Sequence, residues 1–532
     1  MKKTNTNTEI VLKENRLDIE IFIFYFAILT IILLRSSLIG HGLTSFVDEY
    51  RYFFTLEAVK NFAEGNLKEG IVSLYSTQGR PGDAFIRLLP AIIQAGLFKI
   101  FNINTNTPAS LVTAAWMNWV ILIINTVLFY SIAKSFFNDK WSRVAVVMYA
   151  SLVNSNIYIR HILPYDISIC FFLIALLLIV KGYKNEFPEK KIPVFTVGLI
   201  SGLCFVTYPG YFMAPLILGI MMIEFPFGIN AFRKLILRVS VYIAGFTSII
   251  LIFELIARLG GVSYINSSQT LSATITQGDF SEGYSFAVLY LIKVERVLGS
   301  ILLILLLLSF VSLLRIIIKF PAHIDKFQAQ RILLTIALIL SWGCYASLVF
   351  YGHKLVFYGR TLHLFMPLLI LVGMYGIASV NRAGARYLLV AASLASFLIF
   401  FVDYSKVVYV KDAAFAKKIF SPLPLLRMRS NTACGNEEFK FEPFQSKYKN
   451  ETGNSQSKEK NALLLVNFGY LYPIRCYRPL GDMRNRGILL VQGDYMAKFP
   501  AYQFEGYNKT ERDLLTTKNF QFQIYSIKGP NK

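Results

Sequence analysis

Long apolar segments alternate with short polar segments through roughly the first 400 residues, and the pattern changes after residue 402. Apolar runs of about 16 or more residues predict helices that cross a lipid bilayer. The matching segments are 19–39, 109–133, 144–162, 167–180, 192–207, 211–225, 239–257, 297–318, 332–350, 362–380 and 387–402. We therefore predict an all-α, multi-pass transmembrane domain over residues 1–402 and a second domain over residues 403–532.

The distribution of Lys and Arg predicts the orientation of these eleven spans. The N-terminal segment and the loops after spans two, four, six, eight and ten carry 20 basic residues, whereas the short loops on the opposite side carry only Arg160, Lys354 and Arg360. Basic residues concentrate on the cytoplasmic side, so we predict a cytoplasmic N-terminus in a plasma (inner) membrane and a periplasmic or extracellular C-terminal domain. The net charge of +22 then reflects this bias and contact with anionic membrane lipids, and we expect no nucleic-acid partner.

The first outer loop, residues 40–108, has the pattern of two helices lying along the membrane surface, over residues 49–64 and 81–101. The second helix could instead be a span, but that would invert every later segment against the charge bias. Arg35, near the end of span one, is expected to extend its side chain to the outer interface. A second outer loop, residues 258–296, is polar and contains glycine, which favours a mobile cover over a site.

The residues after 402 contain no apolar run long enough to span a membrane. Residues 462–466, 487–492 and 520–524 have strand patterns, and residues 510–516 are predicted to form a short helix, so we expect a small α/β domain. Cys434 and Cys476 both lie in this domain, where an oxidising compartment would favour a disulfide. Labelling of free thiols in the unreduced protein tests that pairing.

Acidic and basic side chains collect at the predicted outer face. Asp48 and Glu49 lie just beyond span one, and adjacent carboxylates beside a bilayer are costly unless they have a function. A carboxylate can take a proton from an attacking hydroxyl, and Arg and Lys are natural phosphate ligands. The other candidates are Arg51, Tyr52, Arg80, Arg160, Asp166, Lys354, Tyr358 and Arg360. Each set also has a structural interpretation, because acids cap helices and arginines anchor spans at the interface.

Four short motifs resemble those of one enzyme family. They are Val47-Asp48-Glu49-Tyr50-Arg51-Tyr52, which is similar to an Asp-Glu-x-x-Tyr signature, then Arg80-Pro81, Pro164-Tyr165-Asp166, and Tyr358-Gly359-Arg360 followed by Pro367. Their order resembles the C-type (GT-C fold) glycosyltransferases, in the branch of protein O-mannosyltransferases and the lipid A aminoarabinose transferase. The turn after Arg80 departs from that family, since Gly82-Asp83 stand where a second proline and an apolar residue are frequent.

The resemblance implies transfer of a sugar from a polyprenyl-phosphate donor to a hydroxyl of a lipid, protein or glycan acceptor, with inversion. It implies catalytic roles for Asp48 as base and for its neighbour Glu49. It further implies donor-phosphate contacts by Arg80, Arg160, Lys354 and Arg360, and acceptor or substrate contacts by Arg51, Tyr52, Asp166 and Tyr358. No cofactor is required with certainty, although Asp48, Glu49 and Asp166 could hold a divalent cation.

A multi-pass transporter or lipid flippase with an outer domain is the alternative function. Such a protein would share the spans and the outer charges, but it would place ionisable residues at mid-membrane. No predicted span carries a central acid, since Glu254 lies near the end of span seven. The enzyme is therefore the preferred interpretation.

The orientation is tested by reporter fusions. A reporter fused after Lys532 is expected to be active outside the cytoplasm, and one fused at Lys190 is expected to be active inside, because of the loop charges. A C-terminal reporter active in the cytoplasm would refute the eleven-span arrangement.

Overall fold

The computed structural model describes a helical domain followed by strands. The described residues are 6–39, 51–76, 80–101, 112–153, 155, 159, 162–184, 191–223, 229–276, 291–292, 295–319, 326–350, 359–378, 382–408 and the strands given below. The helices are α1 (Thr6–Ser36), α2 (Arg51–Ala63), α3 (Leu67–Tyr75), α4 (Pro81–Ile86), α5 (Leu88–Phe101), α6 (Val112–Phe136), α7 (Asp139–Ala150), α8 (Tyr165–Lys184), α9 (Lys191–Thr207), α10 (Met213–Met221), α11 (Ile229–Leu259), α12 (Tyr264–Thr276), α13 (Arg296–Lys319), α14 (Lys326–Phe350), α15 (Met366–Tyr375) and α16 (Ala383–Val408).

Seven of the predicted spans are confirmed as helices that are long and apolar enough to cross a membrane, namely α1, α6, α8, α11, α13, α14 and α16. The chain is therefore a multi-pass membrane protein. Three further predicted spans contain the shorter apolar helices α9, α10 and α15. Helix α15 has ten residues, all buried, and a helix of that length rises only about 15 Å. It is enclosed by protein, so its ends need not reach either membrane surface.

The third predicted span, residues 144–162, is wrong in extent. Helix α7 begins earlier because Asn138 caps it, its side chain accepting a hydrogen bond from the Trp141 backbone N–H at 3.0 Å. The helix ends at Ala150. Just beyond it, the peptide that joins Leu152 to Val153 hydrogen-bonds to side chains from elsewhere in the chain instead of continuing the helix.

Helices α9 and α11 pack in close contact because glycines face the partner backbone. A Cβ atom at Gly198 would overlap the carbonyl oxygen of Tyr242, and one at Gly245 would overlap the carbonyl oxygen of Phe195. Small residues allow such approach between membrane helices, where van der Waals packing and hydrogen bonds drive association. The hydroxyls of Ser201 and Tyr242 add a hydrogen bond of 2.7 Å across this interface.

Three loops that were predicted to be cytoplasmic meet at one end of the bundle. Arg386 donates to the Glu20 carboxylate at 2.7 Å, and the Lys140 ammonium lies 3.6 Å from the same carboxylate. Arg331 donates to the carbonyl oxygen of Phe136 at 3.4 Å. The basic loops therefore share one end, as alternating spans require, while the side of the membrane on which that end lies stays a prediction.

The described part of the first outer loop contains four helices. Helix α2 forms where it was predicted, with Glu57 and Lys60 exposed on it and Glu64 exposed just beyond its end, and α3 was not predicted. The helix predicted over residues 81–101 is two helices, α4 and α5, that meet at Arg87.

The described part of the second outer loop includes a helix, α12, whose Tyr264 is buried. The Glu254 carboxylate accepts the Ile265 backbone N–H at 3.0 Å and an Arg258 N–H at 2.6 Å. Glu254 therefore supports the start of α12 and is not a mid-membrane charge. The interpretation of this loop as a cover stays a prediction.

Strands dominate the described part of the tail. A four-stranded sheet has the order β3-β5-β7-β6, formed by Ala462–Asn467, Gly487–Gly493, Gln521–Lys528 and Asn508–Thr516. Strands β3 and β5 are parallel, and the other pairs are antiparallel. A second sheet pairs β1 (Met428–Ser430) with β2 (Glu438–Phe439) and with β4 (Tyr477–Pro479).

The three predicted strands of the tail are confirmed, but the predicted helix over residues 510–516 is wrong. Those residues form most of β6, which pairs with β7 from Asn508↔Lys528 to Thr516↔Gln521. These residues pair with β7 as the last strand of the sheet order, whereas an isolated helix of that length is marginal. The described residues after 408 therefore all lie in strands.

The close contact between α9 and α11 is tested with Gly198→Ala. The added methyl must push the two helices apart, and overpacking of this kind typically costs about 1–3 kcal/mol, so the thermal unfolding temperature in detergent should fall. Gly219→Ala on α10 is the matched control, since nothing lies within 4 Å of its Cβ position. Equal stability of the two variants would refute the close packing.

Candidate functional site

A buried acid and a buried histidine meet inside the helix bundle. Nε2 of His363 lies 3.1 Å from Oδ1 of Asp166, and the two side chains are 1% and 6% exposed. The Asn125 side-chain amide donates to the Asp166 carbonyl oxygen at 2.9 Å, and Asn125 lies in the middle of α6. The second carboxylate oxygen, Oδ2 of Asp166, has no hydrogen-bond partner among the described residues.

Two more buried charges lie beside this pair. Arg35 at the end of α1 is 1% exposed, and Glu295 just before α13 is 0% exposed. Both Asp166 and Glu295 act electrostatically on the Arg35 guanidinium, which also lies 5.1 Å from the ring centroid of Phe397. The bundle interior thus contains a group of ionisable residues, which we call the inner charge cluster: Arg35, Asp166, Glu295 and His363.

Arg80 approaches the same region through aromatic rings. Its guanidinium carbon lies 5.0 Å from the ring centroid of Tyr208, and that ring meets the ring of Tyr165 at 4.7 Å. Tyr208 therefore lies between Arg80 and Tyr165. The next residue after Tyr165 is Asp166, which belongs to the inner charge cluster. The neighbouring Gly82 fits because a Cβ atom there would lie 2.8 Å from the backbone nitrogen of Thr207.

Arg87 joins three parts of the chain. It donates to the Asp83 carboxylate at 2.9 Å, to the Asn118 side-chain oxygen at 3.2 Å and to the Leu163 carbonyl oxygen at 2.8 Å. Arg87 is only 1% exposed. Its hydrogen bonds tie the outer-loop helices α4 and α5 to α6 and to the segment that leads into Asp166.

The start of α2 is held in the same neighbourhood. The Tyr52 hydroxyl donates to the side-chain oxygen of Gln94 at 3.1 Å, and Tyr52 packs in one buried cluster with Ala91, Ala114, Ala115 and Ile162. Burial raises the pKa of Tyr52 above its usual value, against the opposing effect of the Arg87 charge. The phenol therefore stays protonated at neutral pH and serves as a hydrogen-bond donor.

Several candidates from the sequence lie outside the described residues: Asp48, Glu49, Arg160, Lys354, Tyr358, Cys434 and Cys476. Arg360 lies in a helical turn, Gly359–Leu362, but only its backbone is described. Their roles stay predictions. Among the described candidates, Asp166 belongs to the segment 162–166, and Tyr52 and Arg80 lie on elements that approach it. Half-buried Arg51 is the first residue of α2.

Two expectations are corrected. Arg35 does not extend to the interface, because its guanidinium is buried and donates to the Leu152 carbonyl oxygen at 2.5 Å. Asp166 does not lie in an outer loop, because it belongs to the first turn of α8, where its carbonyl oxygen accepts the side-chain amide of Asn125 in the middle of α6. Asp166 and Glu295 are both buried, at the start of α8 and just before α13, and the absence of an acid at the centre of any span stays a prediction.

The sequence pattern missed Arg87, Tyr208 and Glu295 as site residues. Arg87 carried one usable signal, since Asp83 precedes it by four residues and i, i+4 pairs of opposite charge face each other on a helix. Tyr208 lies between the predicted spans 192–207 and 211–225, where the pattern Tyr208-Pro209-Gly210 indicates only a turn. Glu295 had no distinguishing signal, because nothing in the local pattern indicates which outer-loop carboxylate becomes buried.

Metal binding is not supported by the described residues alone. Among them, no group of three or more His, Cys, Asp or Glu side chains is arranged to hold a metal ion. The hypothesis of a divalent cation held by Asp48, Glu49 and Asp166 stays a prediction, because two of these residues lie outside the described part.

Comparisons with known proteins find several solved structures that are similar to this chain. A crystal structure of the oligosaccharyltransferase of Archaeoglobus fulgidus, in complex with Zn and sulfate, is similar over 70% of this chain and 52% of that chain, with 11% sequence identity and a TM-score of 0.41. The chain thus aligns with about half the length of that protein, and a likeness this weak assigns neither family nor activity. No protein-family model and no curated protein sequence matches the chain significantly.

The role of Arg87 is tested by Arg87→Met. The change leaves the Asp83 carboxylate and two buried acceptors without their donor, and removal of one partner of a buried pair typically costs about 3–5 kcal/mol. Lys60→Met is the control: Lys60 and Glu64 also stand at i, i+4 in the outer-loop helices, but this pair is exposed and 3.9 Å apart, so about 0.5 kcal/mol or less is expected. The free energy of unfolding in detergent is the measurement, and equal losses would contradict the assignment.

Proposed function

We propose that this protein is an integral-membrane glycosyltransferase that transfers a sugar from a polyprenyl-phosphate donor to an acceptor hydroxyl at the outer face. The observation that supports the proposal is that three residues of the first outer loop approach residues 162–166. Tyr52 packs with Ile162, Arg87 holds Leu163, and Arg80 reaches Tyr165 through Tyr208. These residues thus bring a phenol and two guanidinium groups to the segment that leads into Asp166.

Covalent geometry links Asp48 to this region. Asp48 precedes Tyr52 by four residues, and consecutive Cα atoms are about 3.8 Å apart, so the two Cα atoms lie within about 15 Å of each other. Tyr52 is fixed by its hydrogen bond to Gln94. A base carried on this short connection can therefore act beside the segment that leads into Asp166.

The proposed reaction is a single displacement. Asp48 takes the proton of the acceptor hydroxyl as its oxygen attacks the anomeric carbon. A new C–O bond forms, and the bond between that carbon and the phosphate oxygen breaks, so polyprenyl phosphate leaves with the electron pair. Attack opposite the phosphate inverts the anomeric configuration. General-base assistance of this kind typically contributes about 10²–10⁴-fold.

Positive charge is needed where the phosphate leaves. Arg80 is the described candidate, and its guanidinium carbon lies 5.0 Å from the ring centroid of Tyr208. The planar guanidinium suits recognition of phosphate oxygens. Arg160, Lys354 and Arg360 are the other proposed phosphate ligands. In a partly desolvated site each charged hydrogen bond can contribute about 1.5–3 kcal/mol.

Transport of an ion or lipid is the second candidate function, and one observation favours it. The inner charge cluster is buried in the bundle, and ionisable residues in such positions frequently mark ion or proton pathways. The enzyme is preferred because the outer-loop helices converge on the same segment, which a pathway through the bundle does not require.

The catalytic role is tested with Asp48→Asn, which keeps the shape of the side chain and removes the proton acceptor. Transfer from a polyprenyl-phosphate sugar by purified protein should fall by at least about 10²-fold, the usual contribution of a general base. Glu49→Gln should cost less, and Arg360→Ala should raise the KM for the donor because its proposed partner is the phosphate. Glu57→Gln, an exposed acid on α2, is the matched control and should retain activity.

Near-normal turnover by Asp48→Asn would contradict the mechanism. If the unaltered protein transfers no sugar from polyprenyl-phosphate donors, yet reconstituted vesicles show solute or lipid movement that Asp166→Asn abolishes, transport becomes the supported function.

A further inference from the structure

One peptide group inside the bundle is held from both sides by charged side chains. Arg35 donates to the carbonyl oxygen of Leu152 at 2.5 Å, and the backbone N–H of Val153 donates to Oε2 of Glu295 at 2.9 Å. These two atoms belong to the same peptide bond, in which the C=O and N–H point in opposite directions. A guanidinium and a carboxylate from distant parts of the chain therefore bind opposite edges of one peptide, an arrangement that we call the peptide clamp.

The clamp lies where regular structure ends. Helix α7 ends at Ala150, and Leu152 is already outside it. A buried peptide outside a helix needs partners for both its polar groups, since an unpaired buried group costs about 1–3 kcal/mol. Helix α1 and the residue before α13 supply those partners, so the position of this peptide depends on tertiary contacts.

The backbone next to Glu295 has a conformation that helps to set the direction of the Glu295 side chain. The next residue, Arg296, has φ +50°, a left-handed conformation that costs a non-glycine residue on the order of 1 kcal/mol or more. The start of α13 is also crowded, because a Cβ atom at Gly299 would overlap the carbonyl oxygen of Leu291. These constraints turn the chain so that the Glu295 carboxylate faces inwards.

The clamp is coupled to the candidate site through Arg35. The Arg35 guanidinium is acted on by Glu295 and by Asp166, and Asp166 is bonded to His363. The chain between the clamp and Asp166 is held again at Leu163 by Arg87. The segment that enters the bundle and ends at Asp166 is thus fixed at both ends by buried arginines.

We propose that Arg35 and Glu295 are positioning residues, which set the location of Asp166 by clamping the Leu152–Val153 peptide. The kinetic consequence rests on the proposed function, whereas the structural consequence does not. The Glu295 hydrogen bond, rather than its charge, holds the Val153 N–H. A residue at position 295 that keeps an acceptor oxygen at the same reach should therefore preserve the site.

The test separates the hydrogen bond from the charge. Glu295→Gln keeps an acceptor oxygen at the same distance without the charge, and Glu295→Asp keeps the charge but is one methylene too short to reach the Val153 N–H. Amide hydrogen exchange of peptides covering residues 151–168 is measured on the full-length protein in lipid nanodiscs. Exchange should accelerate at least tenfold in Glu295→Asp and stay close to that of the unaltered protein in Glu295→Gln, because exchange reports local opening.

Activity gives the second readout. In sugar-transfer assays, Glu295→Asp should raise the substrate KM at least tenfold with a smaller change in kcat, since a displaced Asp166 weakens ground-state binding. Glu295→Gln should have the same KM as the unaltered protein. Glu20→Gln is the control, because Glu20 pairs with Arg386 at the other end of the membrane-spanning part of α1, Ile19–Ser36, and loss of that pair should lower stability without changing exchange at 151–168 or the KM.

Two exchange results would overturn the clamp: no acceleration in Glu295→Asp, or equal acceleration in Glu295→Gln and Glu295→Asp. If the unaltered protein transfers no sugar, the proposed function fails, and the exchange measurement still decides the clamp.

Discussion

A charge buried among apolar helices must be paired, and this constraint governs the departures from regular helical structure in this protein. Charged groups inside a membrane domain are costly unless they face the protein interior and find partners. Each of these residues, Arg35, Arg87 and Glu295, binds a peptide group outside regular helices, and Arg87 also binds the side chains of Asp83 and Asn118. The bonds to Leu152 and Val153 lie just beyond the end of α7 at Ala150.

The same bonds build the candidate site. Leu152 and Leu163 are both held by buried arginines, and Asp166, which follows Leu163 closely in sequence, meets His363 at the level of the middle of α6. Apolar packing supplies the frame for these polar contacts. The glycine contacts between α9 and α11 let two backbones meet, and the end of α9 carries Tyr208, on which Arg80 stacks.

The two functions considered above differ in what they require of the inner charge cluster. For a glycosyltransferase, the cluster positions Asp166 next to a site approached from the outer loop. For a transporter, the cluster itself would bind or relay the charge. The outer-loop helices distinguish the two, because Arg87 and the buried cluster around Tyr52 contact the residues just before Asp166. Such contacts are expected where a catalytic residue must be presented to a substrate.

The sequence by itself determined the helical membrane domain, the positions of its long spans and three strands of the tail, because hydrophobic periodicity and run length are local properties. It also identified Asp166 and Arg80 as candidates from their residue types. Tertiary structure alone decided that Arg35 is buried, that the third span stops at Ala150, that residues 510–516 join a sheet, and that Glu295 and Arg87 support the site. These outcomes depend on partners far away in the chain, since the partner that satisfies a buried charge or an unpaired backbone group is chosen by packing and not by neighbours in sequence.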